Sequence, residues 1–141
     1  MRIDDPAALA GGLSRVLRHV VLVLRAATAG QPITGQQFAV LVSLEGGSRR
    51  MSELAEEQGV QLPTMTAQVN RLEKPGLVSR GVDPTDGRVR TVRLTEPGRA
   101  CLADARRIRY AYLTARLAEL TPAERASIAA ALPALAKLGR P

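Results

Sequence analysis

Hydrophobic positions recur along most of this chain at intervals of three and four, the spacing of one face of an α-helix. The first such stripe is Leu9, Leu13, Val16, Leu17, Val20 and Leu24. It follows Asp5-Pro6, an N-capping carboxylate and a ring tolerated in a first turn, and it precedes the breakers Gly30 and Pro32. Gly11-Gly12 weakens its opening turns by about 1 kcal/mol per glycine. Thr34-Gly35-Gln36-Gln37 has the form of a capping box. It opens a short second helix with Phe38, Leu41 and Leu44 inward, stopped by Gly46-Gly47. A third helix is predicted from about Met51 to Gln58, with Met51, Leu54 and Ala55 inward and Gly59 at its end. A fourth runs from about Leu62 to Lys74, with Pro63 in its first turn and Met65, Val69 and Leu72 inward, until Pro75-Gly76 breaks it.

The period then switches to alternation. Leu77-Val78-Ser79-Arg80-Gly81 reads as a short strand, and Asp83-Pro84-Thr85-Asp86-Gly87 as turn chemistry. Val89 to Leu94 returns as a second strand, with Val92 and Leu94 on one face. Thr95-Glu96-Pro97 starts a fifth helix reaching about Glu119. Its apolar stripe holds Leu102, Tyr112, Leu113, Leu117 and Leu120, and its other faces carry Arg99, Arg106, Arg107, Arg109 and Arg116. Thr121-Pro122-Ala123-Glu124 starts a sixth helix with the stripe Ile128, Leu132, Leu135 and Leu138, and a kink is expected at Pro133. The pattern reads as one domain over residues 1–141, mainly α with a small β-hairpin, without repeat or linker.

Aromatic residues are only 2% of the chain, so the core must be built from Leu, Val, Ile, Met and Ala. The 20 basic and 13 acidic residues leave a net charge of +7, and only Lys74 and Lys137 of the cations are lysines. Such a balance is a footprint for phosphate backbones or anionic surfaces, although an arginine bias also follows from a GC-rich genome. One cysteine, Cys101, and one histidine, His19, leave no disulfide, no thiolate metal cluster and no ordinary zinc site. No cofactor is expected. No Gly-rich phosphate loop or nucleophile–histidine motif supports an enzyme. Acids stand in Met1-Arg2-Ile3-Asp4-Asp5 where a signal peptide has bases, and the longest apolar run, Val20 to Leu24, is too short for a bilayer. A cytoplasmic protein without a membrane partner is expected.

The order helix, helix, glycine turn, helix, hairpin is that of a winged helix-turn-helix between Thr34 and Thr95, flanked by long helices at 5–30 and 96–139. The helix after Gly59 would fit a major groove, and the hairpin would reach the adjacent minor groove, where arginine is favoured. Met51-Ser52-Glu53-Leu54-Ala55, Pro63-Thr64-Met65-Thr66, Val69-Asn70-Arg71-Leu72-Glu73, Gly76-Leu77-Val78, Asp83-Pro84-Thr85-Asp86-Gly87-Arg88 and Arg93-Leu94-Thr95 occur in that order. Together they resemble the MarR (multiple antibiotic resistance regulator) family over nearly the whole chain. The resemblance implies a bacterial or archaeal homodimer, a repressor that binds a palindromic operator in duplex DNA and is released by a small ligand, often an anionic aromatic. It also assigns roles. Asp86 and Arg88 match the wing's Asp-x-Arg pair, whose arginine enters the minor groove. Thr64 and Thr66 match recognition-helix positions whose hydroxyls contact bases or phosphate, and Arg71 matches a polar position near the same surface. The first, fifth and sixth helices match the dimerisation region, here Leu9, Leu13, Leu117, Ile128, Leu132, Leu135 and Leu138. Peroxide sensors of the family use a cysteine near the N-terminus, so Cys101 is read as a small inert hydrophobe.

Two departures from the family pattern matter. Gln61 and Leu62 stand where a capping serine and a polar or basic residue are common, and Ala67 stands where an arginine is common. The expected DNA-contacting set is Gln61, Pro63, Thr64, Thr66, Ala67, Gln68, Asn70 and Arg71, with Arg80, Asp86, Arg88 and Arg90 from the hairpin. Base readout would rest on amides and hydroxyls, with Gln or Asn to adenine as the natural pairing. Affinity would rest on the wing. Plainer readings stand beside these. Arg88 is also a possible solvated turn residue, Asp86 a turn former, the threonines surface fillers, and Arg106 and Arg107 a solvated face. The weakly basic recognition helix supports an alternative, a winged-helix module that binds ligands or proteins without reading DNA. His19, Arg25 and Tyr112 are the candidate ligand-pocket residues; His19 fits an interface equally well.

Overall fold

Local capping chemistry sets the helix starts. In the computed structural model, which describes residues 4–139, the Asp5 carboxylate accepts from the Ala7 N–H at 3.0 Å and opens α1 (Pro6–Ala27). Thr34 and Gln37 cap each other's backbone at 3.2 and 2.9 Å at the head of α2 (Gly35–Ser43). After β1 (Arg49–Arg50) and α3 (Met51–Gln58), Gly59 turns the chain at φ 66°, a left-handed conformation that glycine adopts without a Cβ penalty. There follow α4 (Leu62–Glu73), β2 (Val78–Val82), β3 (Arg90–Leu94), α5 (Glu96–Ala118) and α6 (Pro122–Leu138). Thr121 and Glu124 form the second reciprocal box, at 3.2 and 2.8 Å.

The core lies between α2, α3, α4, the sheet and the start of α5, which adds Leu102. Leu41, Leu44, Leu54, Met65, Val69, Leu72 and Val92 are at most 1% exposed. All were inward positions of the expected stripes. Phe38 differs: it is half-buried, and Val40 takes the interior position on α2. The Phe38 ring instead lies under the Arg109 guanidinium, 4.3 Å from its centroid, a cation–π contact between α2 and α5.

The hairpin is one strand richer than expected. The sheet order is β1-β3-β2, all antiparallel, with Arg80 opposite Val92 and Arg49 opposite Val92 on the other edge. β1 is two arginines with no apolar alternation, so nothing in the pattern marked it as a strand. It pins the base of the wing to the start of α3.

No described residue of α1 or α6 is buried. Leu9, Val16, Leu17 and Val20 on α1, and Ile128, Leu132, Leu135 and Leu138 on α6, face outward. By length and composition α1 suffices to cross a membrane, a property that its five-residue apolar run did not disclose. Arg15 and Arg18 stand in its middle, which favours a protein partner over lipid. α6 remains helical through Pro133.

The junction between the sheet and α5 is tight. The Thr95 hydroxyl donates to the Gly76 carbonyl at 2.5 Å, and the Thr95 N–H donates to the Leu77 carbonyl at 3.2 Å. One turn on, a Cβ at Gly98 would stand 2.0 Å from the Leu77 oxygen and 2.8 Å from Leu94 Cδ1. Backbone cannot retreat there without breaking the junction. Gly98→Ala is therefore expected to destabilise the fold by about 1–3 kcal/mol. Chemical denaturation checks this, and an unchanged midpoint would contradict the close approach.

Candidate nucleic-acid interface

α4 divides cleanly into two faces. Met65, Val69 and Leu72 are buried, so helical geometry puts Pro63, Thr64, Ala67, Asn70 and Arg71 on the outer side. Pro63, Thr64, Asn70 and Arg71 are exposed, as is Gln61, while Thr66, Ala67 and Gln68 are half-buried. Gln61 is the N-cap but makes no side-chain cap bond, so the first-turn N–H groups of α4 keep no capping acceptor. The Thr66 hydroxyl donates back to the Leu62 carbonyl at 2.9 Å.

Both flanks of α4 are tied down. On one, Gln68 Nε2 donates to Gln36 Oε1 of α2 at 2.9 Å. On the other, the Arg80 guanidinium of β2 donates to Asn70 Oδ1, and its Nε lies 3.5 Å from Glu73 Oε1. The expected DNA-contacting residues thus divide. Gln61, Pro63, Thr64, Arg71, Arg88 and Arg90 are exposed. Gln68 and Arg80 are engaged with the protein itself.

The wing is organised by two aspartates. Asp83 Oδ1 accepts from the Thr85 hydroxyl at 2.6 Å and the Thr85 N–H at 2.8 Å, and Asp83 Oδ2 accepts from Arg50 Nε at 3.0 Å. These contacts, the Thr85 hydroxyl foremost, lower the Asp83 carboxyl from 3.8 to about 2. A depressed folded pKa means that the tie is complete above about pH 4 and is lost as pH falls toward about 2. Asp86 is likewise lowered, first by the hydrogen bond from the Arg88 side chain. Its oxygens accept from Arg88 Nε at 3.1 Å and Nη2 at 3.3 Å, a two-point hold. The Arg88 side chain stays 92% exposed, held in place at the wing tip yet open to solvent.

Above α4 lies a cleft of about 810 Å³ between the end of α1, the following loop, α2, α4 and α5. Arg25, Arg71 and Arg109 line it with Gln36, Gln58 and Gln68, over a floor that includes Val21, Leu24 and Ile33; no carboxylate lines it among the described residues. Of the three pocket residues expected from sequence, only Arg25 lines this cleft. His19 projects from another side of α1, because Val21, Leu24, Arg25 and Thr28 share the cleft face. Tyr112 lies beside Arg116, whose guanidinium is 5.8 Å from its ring centroid. On α5, Arg106 bridges to Glu45 at 3.0 and 2.5 Å, tying that helix to the end of α2. Sequence reasoning missed Arg50, Gln36 and Arg109 as site residues. A search for carboxylate partners of the β1 arginines would have raised Arg50, but its partner is distant in the chain.

The model of the MarR family matches residues 31–89. A helix-turn-helix-type transcriptional regulator of Mycobacterium bovis is 33% identical over 124 residues, covering 87% of each chain. The solved structure of the transcriptional repressor CouR bound to a 23-mer DNA duplex is 31% identical, with a TM-score of 0.80 and 99% of each chain covered. The repressor MdtR of Bacillus subtilis is 38% identical over 69 residues, 48% of this chain and 44% of its own. These similar proteins are transcription regulators rather than enzymes.

Proposed function

We propose, from the premise that this chain belongs to the MarR family of DNA-binding transcription regulators, that it acts as a homodimeric repressor which a small anionic ligand releases from a palindromic operator. The observation that carries the DNA-contact reading is the division of α4, one face buried and the other outward, together with the exposed, Asp86-held Arg88 of the wing. In this reading the outer face of α4, with Gln61, Pro63, Thr64, Ala67, Asn70 and Arg71, enters the major groove. Thr66 sits at its edge, and Arg88 and Arg90 meet the minor groove and its phosphates. Gln68 and Arg80 hold this surface from its two flanks. Repression is favoured by the likeness to CouR, a repressor seen on DNA. The protein would work in the bacterial or archaeal cytoplasm, on the nucleoid.

The dimer reading rests on the outward apolar faces of α1 and α6. Leu9 and Leu13 of α1, Leu117 of α5, and Ile128, Leu132, Leu135 and Leu138 of α6 would meet a second copy. Full burial of each large side chain contributes about 1.5–3 kcal/mol. Two α4 helices would then read half-sites about 34 Å apart, one turn of the duplex.

Ligand release rests on the cleft. Three guanidiniums over an apolar floor, without a lining carboxylate, suit an anion that carries a ring. Because Arg71 and Gln68 of α4 share that lining with Arg25 of α1 and Arg109 of α5, an occupant would bias how α4 sits relative to the long helices. A change in α4 spacing that mismatches the groove then lowers affinity for the operator.

Three experiments follow. Arg88→Ala is expected to weaken operator binding about tenfold or more and lower the salt slope by about one, with the dimer intact; unchanged affinity would remove the wing from the interface. Leu132→Asp and Leu135→Asp are each expected to shift sedimentation from dimer to monomer and abolish specific binding, and a fully dimeric double variant would place the interface elsewhere. Benzoate and its hydroxylated derivatives are expected to release the operator at millimolar or lower concentration, with Arg109→Met requiring about tenfold more. If calorimetry detects no aromatic carboxylate bound, ligand release by this class fails.

A further inference from the structure

Arg80 turns away from the wing tip and onto α4. Its side chain is 31% exposed, against 92% for Arg88, and it meets Asn70 and Glu73. A guanidinium offers donors only, so the end of the Asn70 amide that meets it must be the oxygen. The orientation of this amide is therefore fixed by chemistry. Nδ2 is the other limb of the same exposed side chain, and among the described residues nothing accepts from it.

That geometry bears on which base Asn70 recognises. Pairing of an amide with adenine uses both of its ends, the oxygen accepting from N6 and the nitrogen donating to N7. Here the oxygen is held by a cation, and the cation is held by Glu73. One lone pair of Oδ1 is thereby taken, and the unengaged limb of the exposed side chain is a donor. Both purines present N7 to a donor, but beside it guanine has the acceptor O6 where adenine has the N6 donor, so a side chain offering only its amide hydrogens matches guanine better.

We propose that Arg80 is a positioning residue for base recognition: it holds the Asn70 amide donor-outward, so that Asn70 selects guanine over adenine at one position in each half-site. This rests on the reading that α4 enters the major groove. Asn70 touches the base, and Arg80 acts through it. The adenine pairing expected for an asparagine in this helix is thereby replaced by the opposite purine.

The test is selection of bound duplexes from a randomised library by the full-length protein, followed by titration of duplexes that differ only at the selected position. The parent is expected to prefer guanine over adenine by about tenfold there, and Asn70→Ala to flatten that preference. Arg80→Met, which keeps the stem but not the donors, is expected to move the preference toward adenine, and Arg80→Lys to restore it. Thermal melting establishes that Arg80→Met is folded. If it is not, Glu73→Gln, which frees the guanidinium without altering Asn70, is expected to shift the preference in the same direction. A uniform loss of affinity in Arg80→Met with the guanine preference intact would mean that Arg80 only props the wing, and would overturn the proposal. If Asn70→Ala flattens no position, Asn70 reads no base and the proposal falls, whereas the regulator reading is decided separately by Arg88→Ala.

Discussion

Everything in this molecule that faces outward depends on α4 burying one side and no other. Met65, Val69 and Leu72 are at most 1% exposed, and each contributes about 1.5–3 kcal/mol by staying there. Rotating the helix by one residue, about 100°, would lift that stripe out of the core and bring polar side chains in. The outward set is therefore a consequence of the inward one. Ties on both flanks reinforce it, Gln68 to Gln36 on one side and Asn70 and Glu73 to Arg80 on the other. Neither tie contributes much to folding, since surface polar contacts are worth about 0–1 kcal/mol. Their effect is to choose which atoms of α4 remain free.

The long helices present the opposite situation. α2, α3, α4, the sheet and Leu102 of α5 complete a core within one chain, while no residue of α1 or α6 is fully buried. An apolar stripe at helical spacing says that a face will be covered, not by what. In the proposed homodimer the surface that covers α1 and α6 is supplied by a second copy. The two regions also meet. Arg106 grips Glu45, Arg109 lies over Phe38, and the cleft is lined from both sides. A shift of the long helices would thus be felt at α4 through few contacts, as a regulator that changes state requires.

Features governed by neighbours in sequence were legible without coordinates. The capping boxes at Thr34 and Thr121, the left-handed Gly59 and the inward stripe of α4 all follow from chemistry within four residues. Features governed by distant partners were not. Arg50 meets Asp83, 33 positions away, and no periodicity connects them. β1 borrows its strand character wholly from β3. Tyr112 and His19 were plausible pocket residues because helical spacing tells which residues share a face, but not which face meets which neighbour. Arg80 and Arg88 look alike in sequence, both hairpin arginines, and only packing lays one against α4 and leaves the other in solvent.

That last distinction governs how the net charge of +7 is used. Arg49, Arg50, Arg80 and Arg106 are each matched by a carboxylate and act as framework. Arg71 and Arg90 are exposed without an acidic partner among the described residues. Arg88 is the intermediate case, paired with Asp86 yet almost fully exposed. An exposed pair of this kind contributes little to stability and reduces the attraction of the arginine for phosphate. Its benefit lies in binding. A long side chain loses about 0.5–1.5 kcal/mol of rotamer freedom when it is immobilised at an interface, and the two-point hold from Asp86 removes part of that loss beforehand. The pair exchanges long-range attraction for preorganisation, which suits a side chain that must enter a narrow groove more than one that only needs to be near a phosphate.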